Sequence, residues 1–543
     1  MRSARREALC LLALALPLRL IGLGFGLPGI AHDDEWYYVA QAATTLERGS
    51  PLADVGPDEL PYISPTATKL LCVLAVAPVD AWLKGGLPGG EGTRLRYRTH
   101  RGAFHVAGRL AVALVGVAGV LLTWGAARAL CGPRAGLTAG ALLALSPLHV
   151  RDSHFAATDV PLATCVAGLA LLLARGPAPG RAGRWGAGLG AWLGAAGATK
   201  YSAGLLLLPA GLALWLRPPA SARVRASLSA LGAAGAVFLL LFPAALLDTS
   251  EVLRSFRGQA ALSARPWPGQ DAPAEWAAAL VPVTPSGALV LETLLRALGP
   301  VGLGLALLGA ARVAWRRPEL VCLLPVWLLF FARTPLFAAR FLLPLLPLLA
   351  VCAGASLVVL RGRRGAQALL VTLALVPPAL HSVRVVTLLQ RTDTRVDFLE
   401  WTRAALTGGE LEGLALDAGL VRYLPLGPDG RHDPRLARAR PVTVLLRGEQ
   451  GLAPAQLEQL HQAGYDHLAF SDTYLLAQPN QAELLAALER LGTLVLDASP
   501  AAPKRAGPGR EVPRSLEEHL APWRHAFARA RPGPRVRVYR LSR

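Results

Sequence analysis

Apolar stretches succeed one another along the first seven-tenths of this chain, at about 8–27, 105–127, 135–150, 160–174, 186–199, 202–216, 227–247, 290–311, 319–332, 341–358 and 366–386. A bilayer-crossing helix needs roughly 20 apolar residues, and about 15 serve where neighbouring helices bury its ends. The pattern therefore predicts an α-helical multipass membrane protein with about eleven transmembrane helices. The first run follows Arg2, Arg5 and Arg6 and has the look of a signal peptide. It lacks a clear small-residue cleavage site and is interrupted by Arg19, so it reads as a retained helix. A shorter run, Leu70 to Ala77 with Pro78 and Asp80 behind it, reads as a helix in the membrane interface and is left out of the spans.

The formal charge of +20 would ordinarily suggest a polyanionic partner. Its placement excludes nucleic acid. From residue 390 onward 21 Lys and Arg meet 18 Asp and Glu, so the excess lies in the apolar part, where no basic stripe with interleaved aromatics and no zinc-knuckle spacing occurs. With a cytoplasmic N-terminus, the inward connections carry Arg2/Arg5/Arg6, Arg128/Arg134, Arg175/Arg181/Arg184, Arg217/Arg223/Arg225, Arg312/Arg316/Arg317 and Arg361/Arg363/Arg364. The short outward turns hold only Arg151, Lys200, Arg333 and Arg340. Arg94, Arg96, Arg98 and Arg101, in the long loop 28–104, run against this pattern by facing outward. The C-terminus then lies on the outer, periplasmic face. The six cysteines show no CxxC pair, which argues against a disulfide framework or a metal-thiolate site.

Beyond residue 390 the periodicity changes. Val442–Leu446, His467–Ser471, Leu491–Asp497 and Val536–Leu541 read as strands alternating with the helical stretches Ala455–Gln462 and Gln481–Leu491. The expected organisation is a transmembrane unit, 1–389, with its outer loop 28–104, and a small soluble α/β domain, 390–543, whose segment Ser499–Pro513 is a loop.

Four places could carry chemistry. His32-Asp33-Asp34-Glu35-Trp36-Tyr37-Tyr38 opens the outer loop, and three successive acids beside a membrane call for a cationic partner, a metal or a protonation role; a solvated helix N-terminus is the plain alternative. Arg151 to Pro161 holds His154 and Asp159, the latter at a helix start where capping competes with function. Two spans separate these acidic sites, so they share a face. Lys200, one of only four lysines, follows a short apolar run and either snorkels to headgroups or faces a site. Arg340 begins a span and suits a phosphate or a lipid headgroup equally. Acids at two points and cations at two others suit a base beside an anionic leaving group.

Taken in order, His32-Asp33-Asp34-Glu35, Tyr62-Ile63-Ser64-Pro65 with Lys69, Ser153-His154-Phe155-Ala156-Ala157-Thr158-Asp159-Val160-Pro161, Ala198-Thr199-Lys200-Tyr201 and Arg340-Phe341-Leu342-Leu343-Pro344 carry a resemblance. The chain resembles the family-39 glycosyltransferases of the GT-C superfamily, which include protein O-mannosyltransferases and the aminoarabinose transferases of lipid A. Asp33 stands where the family commonly has proline before its Asp-Glu pair; of Asp33 and Asp34, both open as the base, register with the motif favours Asp34. The insertion Gly85–Arg101 matches no family feature.

The resemblance implies an inverting transferase that moves a monosaccharide from a polyprenyl-phosphate donor to a protein, lipid or glycan acceptor on the outer face of the cytoplasmic membrane. Asp34 and Glu35 become the catalytic candidates, Asp34 as base and Glu35 as a positioning group. Asp159, His154, Lys200, Arg340 and Lys69 become the substrate and phosphate ligands. Trp36, Tyr37 and Tyr38 would stack on sugar or anchor at the interface. No cofactor is demanded; a divalent cation between Asp34 and Asp159 stays open. A secondary transporter would show inverted repeats and paired broken helices, which are not found; a non-catalytic scaffold of the same fold would not need the intact acids and cations.

Overall fold

The computed structural model describes residues 2–29, 32–52, 61–62, 64–266, 273–281, 284–360, 362–421, 423–425, 433, 436, 440–441, 454–472, 481–501 and 523–541. Helices dominate as far as Thr407. In chain order they are α1 (Arg2–Leu20), α2 (Asp33–Arg48), α3 (Ala67–Lys84), α4 (Thr93–Thr99), α5 (Arg101–Cys131), α6 (Pro133–Ala144), α7 (Pro147–Asp152), α8 (Asp159–Arg175), α9 (Ala182–Gly197), α10 (Leu207–Leu216) and α11 (Ala220–Leu241). There follow α12 (Ala244–Leu247), α13 (Thr249–Ser263), α14 (Glu275–Leu280), α15 (Pro285–Arg316), α16 (Pro318–Val321), α17 (Leu323–Arg333), α18 (Leu346–Ser356), α19 (Arg364–Leu389) and α20 (Thr394–Thr407).

Each apolar run falls on one or more of these helices, with informative breaks. Among the described residues five helical stretches are long and apolar enough to cross a membrane: Arg101–Cys131, Ala220–Leu241, Ser286–Arg316, Ala339–Ser356 and the one beginning at Arg364. The others are shorter or interrupted. The first run was expected to continue to residue 27, but α1 stops at Leu20 because Gly22 and Gly26 take positive φ and the chain turns. The run 135–150 is split before Pro147, whose missing N–H ends α6. Gly299, at φ 71°, breaks α15 just ahead of Pro300.

Arg19 shows why an arginine is tolerated in an apolar helix. It is fully buried, and its guanidinium donates to the carbonyls of Ala15, Ala144 and Leu143 and meets His149 Nδ1 at 3.0 Å. It thus caps the carbonyl end of α6, where the helix dipole is negative.

Small residues set a close helix contact. Gly186, Gly190 and Gly194 bring α9 onto the backbone of α11, where added Cβ atoms would lie 2.1, 2.0 and 2.4 Å from the carbonyls of Ala226, Ala230 and Ala234. The arginine-bearing loops also gather. Arg128 pairs with Glu7; Arg217 grips Glu319 at 2.6 and 2.7 Å and the Arg316 carbonyl at 2.9 Å; Arg317 reaches the Leu173 carbonyl.

The insertion 85–101 contains α4 and folds around buried Asp80, which accepts from Gly89 N–H at 2.6 Å and Arg96 Nε at 2.7 Å. Arg94 binds Glu47, also at 2.7 Å. Two of the arginines that ran against the charge pattern therefore serve local acids. Lying over α2 and α5, α3 leaves Leu74 and Trp82 of one stripe exposed.

A five-stranded sheet follows: β1 (Leu414–Leu416), β2 (Arg440–Pro441), β3 (His467–Ser471), β4 (Gly492–Ala498) and β5 (Val536–Leu541), in the order β2-β1-β3-β5-β4. β1 is parallel to β2 and β3, whereas β5 is antiparallel to β3 and β4. Helices Pro454–Gln462 and Gln481–Leu491 lie where the sequence placed them. The expected strand 442–446 and most of the loop 499–513 fall outside the described residues.

Candidate active site

Four residues from distant parts of the chain converge on one chain of alternating charge. Asp34, in the first turn of α2, has its carboxylate 3.4 Å from the Arg340 guanidinium. The Arg340 Nε is 3.8 Å from Asp159, at the start of α8, and Lys200 Nζ donates to the other Asp159 oxygen at 2.5 Å. Asp159 is buried, while Asp34 is 37% exposed, so the free edge of the cluster is the Asp34 end.

Local breaks in helix geometry aim the two cations. Lys200 is extended (φ −155°, ψ 141°) between α9 and a 3-10 turn, Tyr201–Leu206. Arg340 sits in a second 3-10 turn, Ala339–Leu345, ahead of α18. The Phe341 ring lies under both, 4.9 Å from Lys200 Nζ and 5.8 Å from the Arg340 guanidinium carbon, and its carbonyl is fixed by Trp327 Nε1 at 2.9 Å. The capping role open to Asp159 is not the one it takes: Thr158 precedes the helix without a side-chain cap bond, and Asp159 faces Lys200.

His32 fixes the opening of α2. Its Nδ1 accepts the Asp34 N–H at 3.2 Å, and its ring lies 4.8 Å from that of Phe155. Burial pushes its pKa below the ordinary histidine value, which keeps the imidazole neutral and able to cap.

Glu35 has another task. It is wholly buried, takes both Nε and Nη2 of Arg109 at 2.6 and 2.8 Å, and accepts the Ala156 N–H at 3.3 Å. Although burial alone would raise its pKa, Arg109 and His105 hold it well below the usual carboxylate range. Arg109 also donates to the carbonyls of Leu23 and Phe25. With both oxygens occupied, Glu35 is corrected from a catalytic candidate to a brace joining α2, α5 and the turns at 21–28 and 153–158.

Three further expectations are corrected. His154 is buried with Nδ1 2.8 Å from the Val150 carbonyl and Nε2 2.9 Å from that of Ile21, so neither nitrogen is left for an acceptor. Lys69 is buried and donates to the Pro51 carbonyl instead of joining Lys200; burial lowers its pKa to about 8. Tyr37 and Tyr38 neither stack on a sugar nor anchor at the interface, because both are buried, with their hydroxyls on the Pro61 carbonyl and Ser64. Trp36 alone of that trio is exposed.

Among the described residues no three His, Cys, Asp or Glu side chains converge as a metal site would need. Arg340 stands between the two acids considered for a cation, and the set does not fit one. Sequence reasoning passed over Arg109, although a single arginine inside the run 105–127 was a visible signal of a buried acid elsewhere.

Residues 101–246 match a family model described as dolichyl-phosphate-mannose-protein mannosyltransferase. No curated protein matches by sequence. Among solved structures, ArnT from Cupriavidus metallidurans bound to undecaprenyl phosphate superposes with a TM-score of 0.55 at 14% identity, covering 98% of this chain and 97% of that one. The same protein in the apo state gives 0.53 at 17% identity, over 90% and 95% of the two chains. The archaeal oligosaccharyltransferase AglB from Archaeoglobus fulgidus, in complex with an inhibitory peptide and a dolichol-phosphate, gives 0.51 at 13% identity, over 91% and 72%. These likenesses show the fold: the chain has the architecture of the GT-C glycosyltransferases.

Proposed function

We propose that this GT-C-fold protein is an inverting glycosyltransferase that moves a monosaccharide from a polyprenyl-phosphate donor to an acceptor hydroxyl or amine on the outer face of the cytoplasmic membrane. The observation that carries this reading is the placement of the half-exposed Asp34 carboxylate 3.4 Å from Arg340, itself joined through Asp159 to Lys200. A base thus stands beside two cations. The match of residues 101–246 and the lipid phosphates named with ArnT and AglB support a donor of this class.

In the proposed reaction the donor phosphate takes up Arg340 in place of Asp34 and lies against Lys200. Asp34 then accepts the proton of the acceptor as its oxygen or nitrogen bonds to the anomeric carbon. The bond from that carbon to the phosphate oxygen breaks, and its electron pair leaves with the polyprenyl phosphate, whose charge Arg340 and Lys200 neutralise. Attack opposite the departing phosphate inverts the anomeric centre. Asp159 touches no reacting atom; it holds both cations at one spacing. The exposed Leu74 and Trp82 of α3 support a helix lying against the membrane beside this site, and the arginine-rich loops support a cytoplasmic face at the bundle's other end.

The test is transfer from labelled polyprenyl-phosphate sugars by purified protein in lipid. Wild type is expected to transfer, and Asp34→Asn to lose roughly 10² to 10⁴ in rate while still binding donor. Full activity of the asparagine variant would remove Asp34 from the chemistry.

A further inference from the structure

The C-terminal segment does more than end the sheet domain. Its tryptophan, Trp523, is 1% exposed and belongs, with Ala526, to the same apolar core as α5, α8, α15 and α18. The surrounding backbone is fastened to the bundle at independent points. Arg524 grips Glu292 of α15 at 2.6 and 2.5 Å, and Arg296 donates to the Arg524 carbonyl at 2.9 Å. From α19, His381 meets the Trp523 carbonyl and stacks on its ring at 6.3 Å and 9°, while Arg384 donates to the carbonyls of Ala526 and Arg529.

The indole also meets the candidate site's scaffold. The Arg151 guanidinium lies 5.5 Å from the Trp523 ring and is paired with Asp152 at 2.8 Å. Arg151 and Asp152 end α7 directly ahead of the 153–158 turn, which gives Glu35 the Ala156 N–H and delivers Asp159 at the start of α8.

We infer that Trp523 is a positioning residue: it acts through Arg151 at the end of α7, by a cation–π contact, to hold the 153–158 turn and thereby the Asp159 that spaces Lys200 and Arg340. The sheet domain is on this account a structural component of the site, joined to it by one aromatic ring. The catalytic consequence rests on the transferase reading; the mechanical contact does not.

The experiment compares Trp523→Phe, which keeps an aromatic face, with Trp523→Leu, which fills apolar space without one. Amide hydrogen exchange of the peptide spanning 151–158 is expected to quicken about tenfold or more with leucine and to stay within about threefold of wild type with phenylalanine. With labelled donor, kcat should fall about tenfold for leucine with donor KM nearly unchanged, and recover with phenylalanine. Arg151→Met, with Trp523 intact, should reproduce the leucine result, and it stands in if the leucine protein fails to fold. Equal behaviour of the leucine and phenylalanine variants, or unchanged exchange in both, overturns the inference. If wild type transfers no sugar, the transferase reading fails, and the exchange measurement still decides the contact.

Discussion

Lys200 and Asp159 stand 41 residues apart in the chain and 2.5 Å apart in space. The ion pair is mostly enclosed, with the carboxylate 4% and the ammonium 22% exposed, so neither partner can be replaced without leaving the other charge poorly solvated. Removing Asp159 would free Lys200 from its fixed place, and removing Lys200 would leave Asp159 to draw Arg340 inward. Asp159→Asn and Lys200→Met should each lower transfer about 10²-fold, and the double variant should be no worse than the poorer single one. Strictly additive losses in kcat/KM would show that the two act separately.

Asp34 and the donor phosphate are expected to compete for Arg340. Asp34→Asn should therefore bind a polyprenyl phosphate at least as tightly as wild type, while Arg340→Ala binds it about tenfold or more weakly, as loss of a charge-assisted contact implies. Microscale binding to detergent-solubilised lipid phosphate measures both. Weaker binding by the asparagine variant would place the phosphate elsewhere.

Glu35 and Arg109 should behave as a stability pair. Breaking it leaves an unpaired charge in a dry interior, a change that costs about 3–5 kcal/mol. Glu35→Gln should lower the thermal midpoint sharply, and adding Arg109→Met should restore part of it. A melting curve in detergent distinguishes this from a catalytic role, for which the midpoint would stay in place.

His32 gives the molecule an acid sensitivity of definite sign. Its folded pKa is lowered, so the unfolded chain takes up the proton first as pH falls. The stability contribution is complete above about 6.5, the free histidine value, and declines as pH drops below that toward the folded value. His32→Asn keeps a capping acceptor that does not titrate. Melts from pH 7.5 to 5 should fall more steeply for wild type than for this variant; parallel curves would contradict the assignment.

Much of this arrangement was written plainly in the chain. The apolar runs located the helices, and the scarcity of lysine and of outward-facing arginine singled out Lys200 and Arg340, which meet at Asp159. Local pattern could not separate Asp34 from Glu35. Adjacent residues on a helix point about 100° apart, and only the position of Arg109 on a packed neighbour decides which acid is enclosed. His154 and Lys69 misled for the same reason, since carbonyls of Val150, Ile21 and Pro51 that claim them become partners only once the turns have closed. The tie from Trp523 to Arg151 spans most of the chain and leaves no periodic trace.

The glycine seam between α9 and α11 makes the cluster vulnerable from an unexpected direction. Backbone rests on backbone there, so a side chain as small as a methyl at Gly190 must push the two helices apart. Because Lys200 lies three residues past the end of α9, and Thr66 and Ala67 bond to carbonyls at the ends of α11 and α9, that displacement would be carried to the ammonium. Harmful substitutions in this protein will therefore include residues that face neither solvent, lipid nor substrate, and a map of sensitivity drawn by distance from Asp34 would miss them.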